Sequence, residues 1–169
     1  MITFSYIFIG DYLKKFLIYL LLIIILTPKN ITAISDSGES TIVMDIDSGR
    51  ILYQKNSNSE MLIASTTKIM TFLTTLKYAN DRLLETVIVG EEVLTMYGTN
   101  MYITIDEELT LMDLLYGLML RSGNDASVVI ATTVAGTVDD FVYLMNEVAK
   151  EIGMVNTIFK NPHGLDEET

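Results

Sequence analysis

The sequence lacks cysteine and has only one histidine and two prolines in 169 residues. Without cysteine there is no disulfide framework, no thiol nucleophile and no thiolate metal site. The single histidine, His163, excludes a zinc site built from several imidazoles, and a Ser-His-Asp triad would have to use that one ring. With so few prolines, no proline-rich linker divides the chain.

Basic residues are also scarce, since 11 lysines and arginines stand against 22 acids, for a formal net charge of −11. A nucleic-acid binder needs a basic face, so this balance argues against one. The composition, 50% hydrophobic and 20% charged, argues against extended disorder. A chain of this length can form about one domain with a substantial core.

The first 33 residues differ in composition from the remainder. Lys14 and Lys15 precede an uninterrupted apolar run from Phe16 to Leu26, and a small residue, Ala33, follows shortly afterwards. This is the pattern of a secretory signal peptide, and the apolar run is shorter than the roughly 20 residues of a membrane span. We therefore expect residues 1–33 to direct export, with cleavage near Ala33 and an extracytoplasmic location for the remainder; an uncleaved membrane anchor is the alternative.

Periodicity predicts short strands and amphipathic helices in residues 34–169. The predicted strands are a hairpin over 41–54 and short strands over 86–89 and 101–104. The predicted helices cover 65–79, a segment that follows a capping box at Thr110 and Asp113, 126–135, and 137–152 with Thr137 as N-cap. The acidic run 106–108 is expected to be a solvated turn, and residues 161–164 a tight turn.

The segment Ser65–Lys68, S-T-T-K, lies at the start of the predicted helix over 65–79. Residues three apart lie on one face of a helix, so the Lys68 amine can sit beside the Ser65 hydroxyl. A serine is a weak nucleophile until a base takes its proton, and a lysine desolvated by apolar neighbours can become neutral enough to do so. The helix N-terminus adds N–H groups that favour a developing oxyanion. Taken alone, such a segment is more often a capping serine followed by a surface lysine.

A second short motif, Ser122–Asn124 (S-G-N), lies between two predicted apolar helices. A hydroxyl and an amide two residues apart in a tight turn can point into one cleft. The hydroxyl can then relay a proton, and the amide can hold a substrate peptide group. The alternative is an ordinary glycine-containing turn in which Asn124 caps the next helix.

Together the two motifs are more specific, because S-x-x-K followed by S-x-N is the order used by penicillin-binding proteins and serine β-lactamases. Roughly residues 40–169 resemble the low-molecular-mass D-alanyl-D-alanine carboxypeptidases, the serine-type peptidase S11 family. The resemblance is carried by segments 43–49, 64–71, 113–126 and 161–166, in the family's order and approximate spacing. It implies an α+β fold of the β-lactamase/transpeptidase type, with an antiparallel sheet flanked by helices and a helical subregion.

The resemblance implies that Ser65 is the acylated nucleophile and Lys68 the general base for its acylation. Ser122 would bridge Lys68 and the leaving-group nitrogen, and Asn124 would bind the substrate backbone. The substrate would be the peptidoglycan pentapeptide stem, which loses its terminal D-alanine, and β-lactam antibiotics would be covalent inhibitors. The resemblance implies no cofactor and no metal. His163, in a Pro-Gly turn far in sequence from both motifs, is expected to be structural.

The family's third motif, K-T-G on a strand at the sheet edge, does not occur in the 169 residues. In the family this strand supplies a lysine and a hydroxyl for the substrate carboxylate, and one oxyanion-hole N–H. Residues 34–169 are therefore interpreted as the N-terminal portion of the transpeptidase-like catalytic domain, incomplete at the C-terminus. Loss of one oxyanion donor typically costs about 10²–10³ in rate, so low turnover is expected from these residues alone.

Three interpretations of function remain open. The first is a D-Ala-D-Ala carboxypeptidase, which an assay of D-alanine release would test. The second is a related β-lactamase or D-Ala-D-Ala endopeptidase. The third is an inactive secreted fragment or a protein that binds cell-wall peptides. The S-G-N motif and the segment 161–166 favour the carboxypeptidase, whereas the missing K-T-G favours the third interpretation.

Overall fold

The computed structural model describes residues 12–22 and 36–166. The chain divides into two compact units, Met1–Ser59 and Glu60–Thr169, and each is described here by itself. Residues 12–22 are helical. The remainder of the predicted export segment, including the expected cleavage position near Ala33, lies outside the described residues.

The described part of the first unit contains the hairpin that the sequence predicts. Strands β1 (Thr41–Met44) and β2 (Ile51–Lys55) pair antiparallel, and the register shifts after Val43. The connecting turn begins at Asp45, whose carboxylate accepts a hydrogen bond from the Ser48 N–H. Gly49 closes the turn at φ +68°, a left-handed conformation that glycine adopts without steric cost.

The second unit is a helical assembly with one short antiparallel ribbon. Its helices are α1 (Thr67–Ala79), α2 (Leu111–Arg121), α3 (Asn124–Ala135) and α4 (Val138–Glu151). Its strands are β3 (Thr86–Ile88) and β4 (Glu108–Thr110), which pair with each other. Single turns of 3₁₀-helix occupy Ala64–Thr66, Asn80–Arg82 and Glu91–Thr95.

Helix α3 is the centre of this unit. Its first eight residues are all buried, and it packs against α1, α2 and α4. The surrounding core includes five large side chains that are 2% exposed or less, namely Leu111, Leu114, Leu118, Phe141 and Met145. Helix α3 therefore contacts each of the other three α-helices of this unit.

The two predicted N-caps, Thr110 and Thr137, are confirmed. The Thr110 hydroxyl accepts from the Asp113 N–H while the Asp113 carboxylate accepts from the Thr110 N–H, a reciprocal capping box that satisfies N–H groups the first turn leaves unpaired. The Thr137 hydroxyl accepts from the Asp140 N–H in the same way. No single helix in the described ranges is long and apolar enough to cross a membrane, although α3 and α4, bent by 86°, meet that criterion as a pair by length and composition.

Three sequence predictions in this unit are wrong in detail. The acidic run is not only a turn, because Glu108 begins β4 and lies opposite Ile88. Residues 101–104 are not a strand, since Tyr102 has a φ of +64° and the neighbouring N–H groups bond to a side chain. Helix α3 begins at Asn124 rather than at residue 126, with Gly123 as its N-cap.

Candidate active site

Ser65 lies in the 3₁₀ turn that leads into α1, not on the α-helix that its sequence position predicts. The preceding residue, Ala64, has a φ of +46°, a left-handed conformation that is costly for a residue with a Cβ. The strained turn leaves Ser65 exposed while the next two residues of the chain lead into the buried part of α1. The predicted role of Ser65 as a nucleophile requires an accessible hydroxyl, and Ser65 is exposed.

Lys68, one helical turn after Ser65, is buried with only 3% of its surface exposed. Its Nζ lies 3.1 Å from the Ser65 Oγ and donates a second hydrogen bond, of 2.9 Å, to the backbone carbonyl of His163. None of the ion pairs in the described part of the chain involves Lys68. Burial lowers the pKa of Lys68 from its ordinary value of 10.5, because desolvation disfavours the ammonium.

A neutral lysine amine at hydrogen-bond distance from a serine hydroxyl is the arrangement that proton abstraction requires. The structure therefore brings together the first two residues that the sequence selects, Ser65 and Lys68. Their roles in catalysis stay predictions, and the geometry is compatible with them.

Ser122 and Asn124 lie at the junction between α2 and α3. Ser122 ends α2 in a left-handed conformation, φ +55°, and among the described residues its hydroxyl makes no hydrogen bond to Lys68. Asn124 is 3% exposed, and its Nδ2 donates to the Tyr97 carbonyl over 2.7 Å. The bridging role of Ser122 and the substrate contact of Asn124 stay predictions.

The carboxylate of Asp125 binds the loop that precedes β4, a contact that the sequence analysis does not predict. It is 2% exposed and accepts hydrogen bonds from the N–H groups of Met101 (2.9 Å) and Ile103 (3.1 Å). The adjacent Asn124 N–H donates to the Thr99 carbonyl over 2.8 Å. In the sequence, Asp125 is marked only as an acidic residue near the start of a helix. Such residues are common there because they interact favourably with the helix dipole, so the position alone does not predict a bond to a distant loop.

The tight turn predicted over residues 161–164 is extended to Leu165 by the bond from Asn161 Nδ2 to the Leu165 carbonyl, and this 161–165 turn contacts the start of α1. Thr71 Oγ1 donates to the Pro162 carbonyl over 2.7 Å, one helical turn beyond the Lys68 bond to His163. Gly164 has a φ of +80°, and a Cβ placed there would meet the Ala64 carbonyl oxygen at 2.0 Å. Beside this contact is a cavity of about 330 Å³ whose lining includes Ala64, Thr67 and Asn161. The sequence did not reveal that this turn supports the lysine.

Comparison with known proteins identifies the same family across most of the chain. The family model for D-alanyl-D-alanine carboxypeptidase, peptidase S11, matches residues 27–169. The D-alanyl-D-alanine carboxypeptidase DacF of Bacillus subtilis is 38% identical over 143 residues, which cover 83% of this chain and 37% of the relative. A D-alanyl-D-alanine endopeptidase of Pseudomonas aeruginosa is 32% identical over 75% of this chain and 41% of its own length.

Solved structures agree in fold. The D-alanyl-D-alanine carboxypeptidase DacD of Francisella tularensis superposes with a TM-score of 0.74 at 32% identity, over 85% of this chain and 37% of that one. Penicillin-binding protein 5 of Haemophilus influenzae gives a TM-score of 0.71 at 33% identity, over 84% and 42%. The mixed helices and small antiparallel sheets thus form part of the expected fold, and the chain spans about 37% of the length of the DacF relative.

Proposed function

The chain belongs to the peptidase S11 family, the D-alanyl-D-alanine carboxypeptidases. From this membership we propose that the protein to which the chain belongs removes the terminal D-alanine from peptidoglycan stem peptides. The observation that carries the proposal is the Ser65–Lys68 pair. An exposed serine hydroxyl lies 3.1 Å from the amine of a buried lysine whose pKa is lowered by desolvation. That pair is a nucleophile with its base.

In the proposed reaction, the Ser65 Oγ attacks the carbonyl carbon of the D-Ala-D-Ala peptide bond while its proton passes to the neutral Lys68 amine. The C–N bond of the tetrahedral intermediate then breaks, and the proton reaches the leaving amine of D-alanine through the Ser122 hydroxyl. Water hydrolyses the resulting ester and restores the serine. Asn124 holds the backbone of the substrate peptide at the N-terminus of α3.

The same chemistry extends to β-lactam antibiotics, which would acylate Ser65 and remain attached as covalent inhibitors. Relatives of this chain include a protein named for penicillin binding, which supports the proposal. The substrate is part of the cell wall, so we place the protein outside the cytoplasm, as the apolar segment at residues 16–26 also suggests.

The test is covalent labelling of the protein, expressed from its own gene, with a fluorescent penicillin, followed by mass spectrometry of the labelled peptide. We expect the adduct on Ser65, no labelling of Ser65→Ala, and normal labelling of Ser59→Ala, in which another exposed serine is removed. Release of D-alanine from a diacyl-Lys-D-Ala-D-Ala peptide should depend on the same serine. An adduct on another residue would contradict the proposal.

Endopeptidase activity is the second candidate, because a D-alanyl-D-alanine endopeptidase is 32% identical to this chain. An endopeptidase would cut the D-Ala bond of a cross-linked muropeptide dimer, whereas a carboxypeptidase would release free D-alanine from an uncross-linked pentapeptide. Offering both substrates to one preparation separates the two activities.

A further inference from the structure

Lys68 is held by two acceptors that differ in what they can do. The Ser65 Oγ at 3.1 Å can exchange a proton with the amine, whereas the His163 carbonyl at 2.9 Å can only accept. A neutral amine has two N–H bonds and one lone pair. When one N–H points at the His163 carbonyl, the lone pair is free to face the Ser65 hydroxyl. The carbonyl can therefore orient the base.

The position of that carbonyl depends on Asn161. Its Oδ1 accepts from the Gly164 N–H over 2.7 Å, and its Nδ2 donates to the Leu165 carbonyl over 2.8 Å. The side chain is buried, with 7% of the residue exposed, so water does not readily replace these bonds. One side-chain amide thus holds the two residues that follow His163, Gly164 and Leu165, in place.

The turn is also tied to the helix that carries Lys68. Thr71 is completely buried and donates to the Pro162 carbonyl over 2.7 Å. Because Lys68 and Thr71 are three residues apart, they lie on one face of α1 and bind successive carbonyls of the turn. These two bonds fix the position of the turn along α1, and the hydrogen bonds of Asn161 hold the turn in the conformation that both bonds require.

Two observations describe the charged and titratable groups near the amine. The His163 imidazole accepts a hydrogen bond at Nδ1 from the Leu165 N–H, and no carboxylate in the described residues forms an ion pair with Lys68. Burial is the cause of the lowered pKa of Lys68. A change that admits water to the amine should therefore raise that pKa.

We propose that Asn161 is a positioning residue for the Ser65–Lys68 pair, because its amide holds the 161–165 turn so that the His163 carbonyl orients the Lys68 amine toward Ser65. The proposal rests on the proposed function for the identities of nucleophile and base. It adds a residue whose side chain bonds Gly164 and Leu165 rather than Ser65 or Lys68, and which acts through a backbone carbonyl.

The experiment compares Asn161→Ala with a matched control, Asn146→Ala, in the full protein expressed from its own gene. Asn146 also uses both ends of its amide, bonding the Phe159 N–H (2.9 Å) and carbonyl (2.8 Å), but it does not bond the 161–165 turn. Two quantities are measured at matched folded fraction: the rate constant for Ser65 acylation by penicillin across pH, and the pKa of Lys68 by NMR, with Lys68→Met to assign the signal.

We expect Asn161→Ala to slow acylation at neutral pH by about tenfold or more, since a misplacement of about 1 Å can cost 10²-fold. The pKa of Lys68 should shift from the wild-type value, because the amine loses its His163 acceptor and its burial changes, while Asn146→Ala changes neither quantity appreciably. A Lys68 pKa and an acylation rate that both stay at the wild-type values in Asn161→Ala overturn the proposal. If wild-type Ser65 forms no adduct, the proposed function fails, and the NMR comparison alone still decides whether Asn161 positions the lysine.

Discussion

Replacing Gly164 with alanine tests how closely the 161–165 turn must approach the segment that carries Ser65. The added Cβ would lie 2.0 Å from the Ala64 carbonyl oxygen and 2.8 Å from the Thr67 Oγ1, well inside the 3.4–4 Å of an ordinary contact. Two costs combine. A left-handed conformation costs an alanine about 1–2 kcal/mol, and overpacking typically adds about 1–3 kcal/mol. We expect a destabilisation of about 2–5 kcal/mol, a large part of a typical domain's stability of about 5–15 kcal/mol.

Gly153→Ala provides the matched control. Gly153 has nearly the same conformation, φ +86°, but no atom lies within 4 Å of the position of its missing Cβ. This variant should therefore lose only the conformational term, about 1–2 kcal/mol. The difference between the two variants isolates the steric contact between the turn and the residue that precedes Ser65.

The contact should also appear in the chemistry. Relief of the overlap requires the turn or the segment Ala64–Thr66 to move by about 1 Å, which is enough to slow acylation of Ser65 by about 10²-fold. Urea denaturation gives the two stabilities, and stopped-flow labelling with a fluorescent penicillin gives the two rates. If Gly164→Ala matches Gly153→Ala in both measurements, the proposed coupling between this turn and the nucleophile is incorrect.

Two further predictions concern buried charged groups. Because burial lowers the pKa of Lys68, its ammonium destabilises the folded state fully below the lowered pKa, and this penalty disappears as the pH rises toward 10.5. The stability of Lys68→Met relative to wild type, from urea titrations at several pH values, should therefore decline over that range, and a constant difference would count against the buried ammonium. Asp125→Asn leaves one acceptor where the carboxylate serves the Met101 and Ile103 N–H groups, so we expect a loss of about 1–3 kcal/mol. Hydrogen exchange at those two amides should accelerate, and unchanged protection would contradict the assignment.

Local chemistry in the sequence predicts two helix N-caps, Thr110 and Thr137, and the contact between Ser65 and Lys68. Thr110 and Asp113 form a capping box because both partners lie within one turn, and Ser65 and Lys68 meet for the same reason. Such short-range patterns are encoded by spacing alone. The prediction of the hairpin over 41–54 succeeds on the same basis, since its turn residues are adjacent in sequence.

The missed features depend on long-range partners. Glu108 becomes part of a strand only because β3, some twenty residues earlier, supplies a pairing edge, so an acidic run that favours a turn is overridden. Thr71 and Lys68 bind carbonyls 91 and 95 residues away in the chain. Every residue carries a backbone carbonyl, so no spacing or residue type marks which one a buried lysine will contact.

A carbonyl rather than a carboxylate lies beside Lys68, which fits the role of base that we propose for this lysine. A carboxylate would favour the ammonium and raise the pKa of Lys68, which would leave little neutral amine to accept the serine proton. A carbonyl orients the amine through one N–H without supplying a full opposing charge. The remaining difficulty is to hold a backbone group at 2.9 Å from a side chain on another segment. Asn161 within the turn and Thr71 on the helix meet that need with hydrogen bonds from uncharged side chains, so neither adds a charge beside the base proposed here.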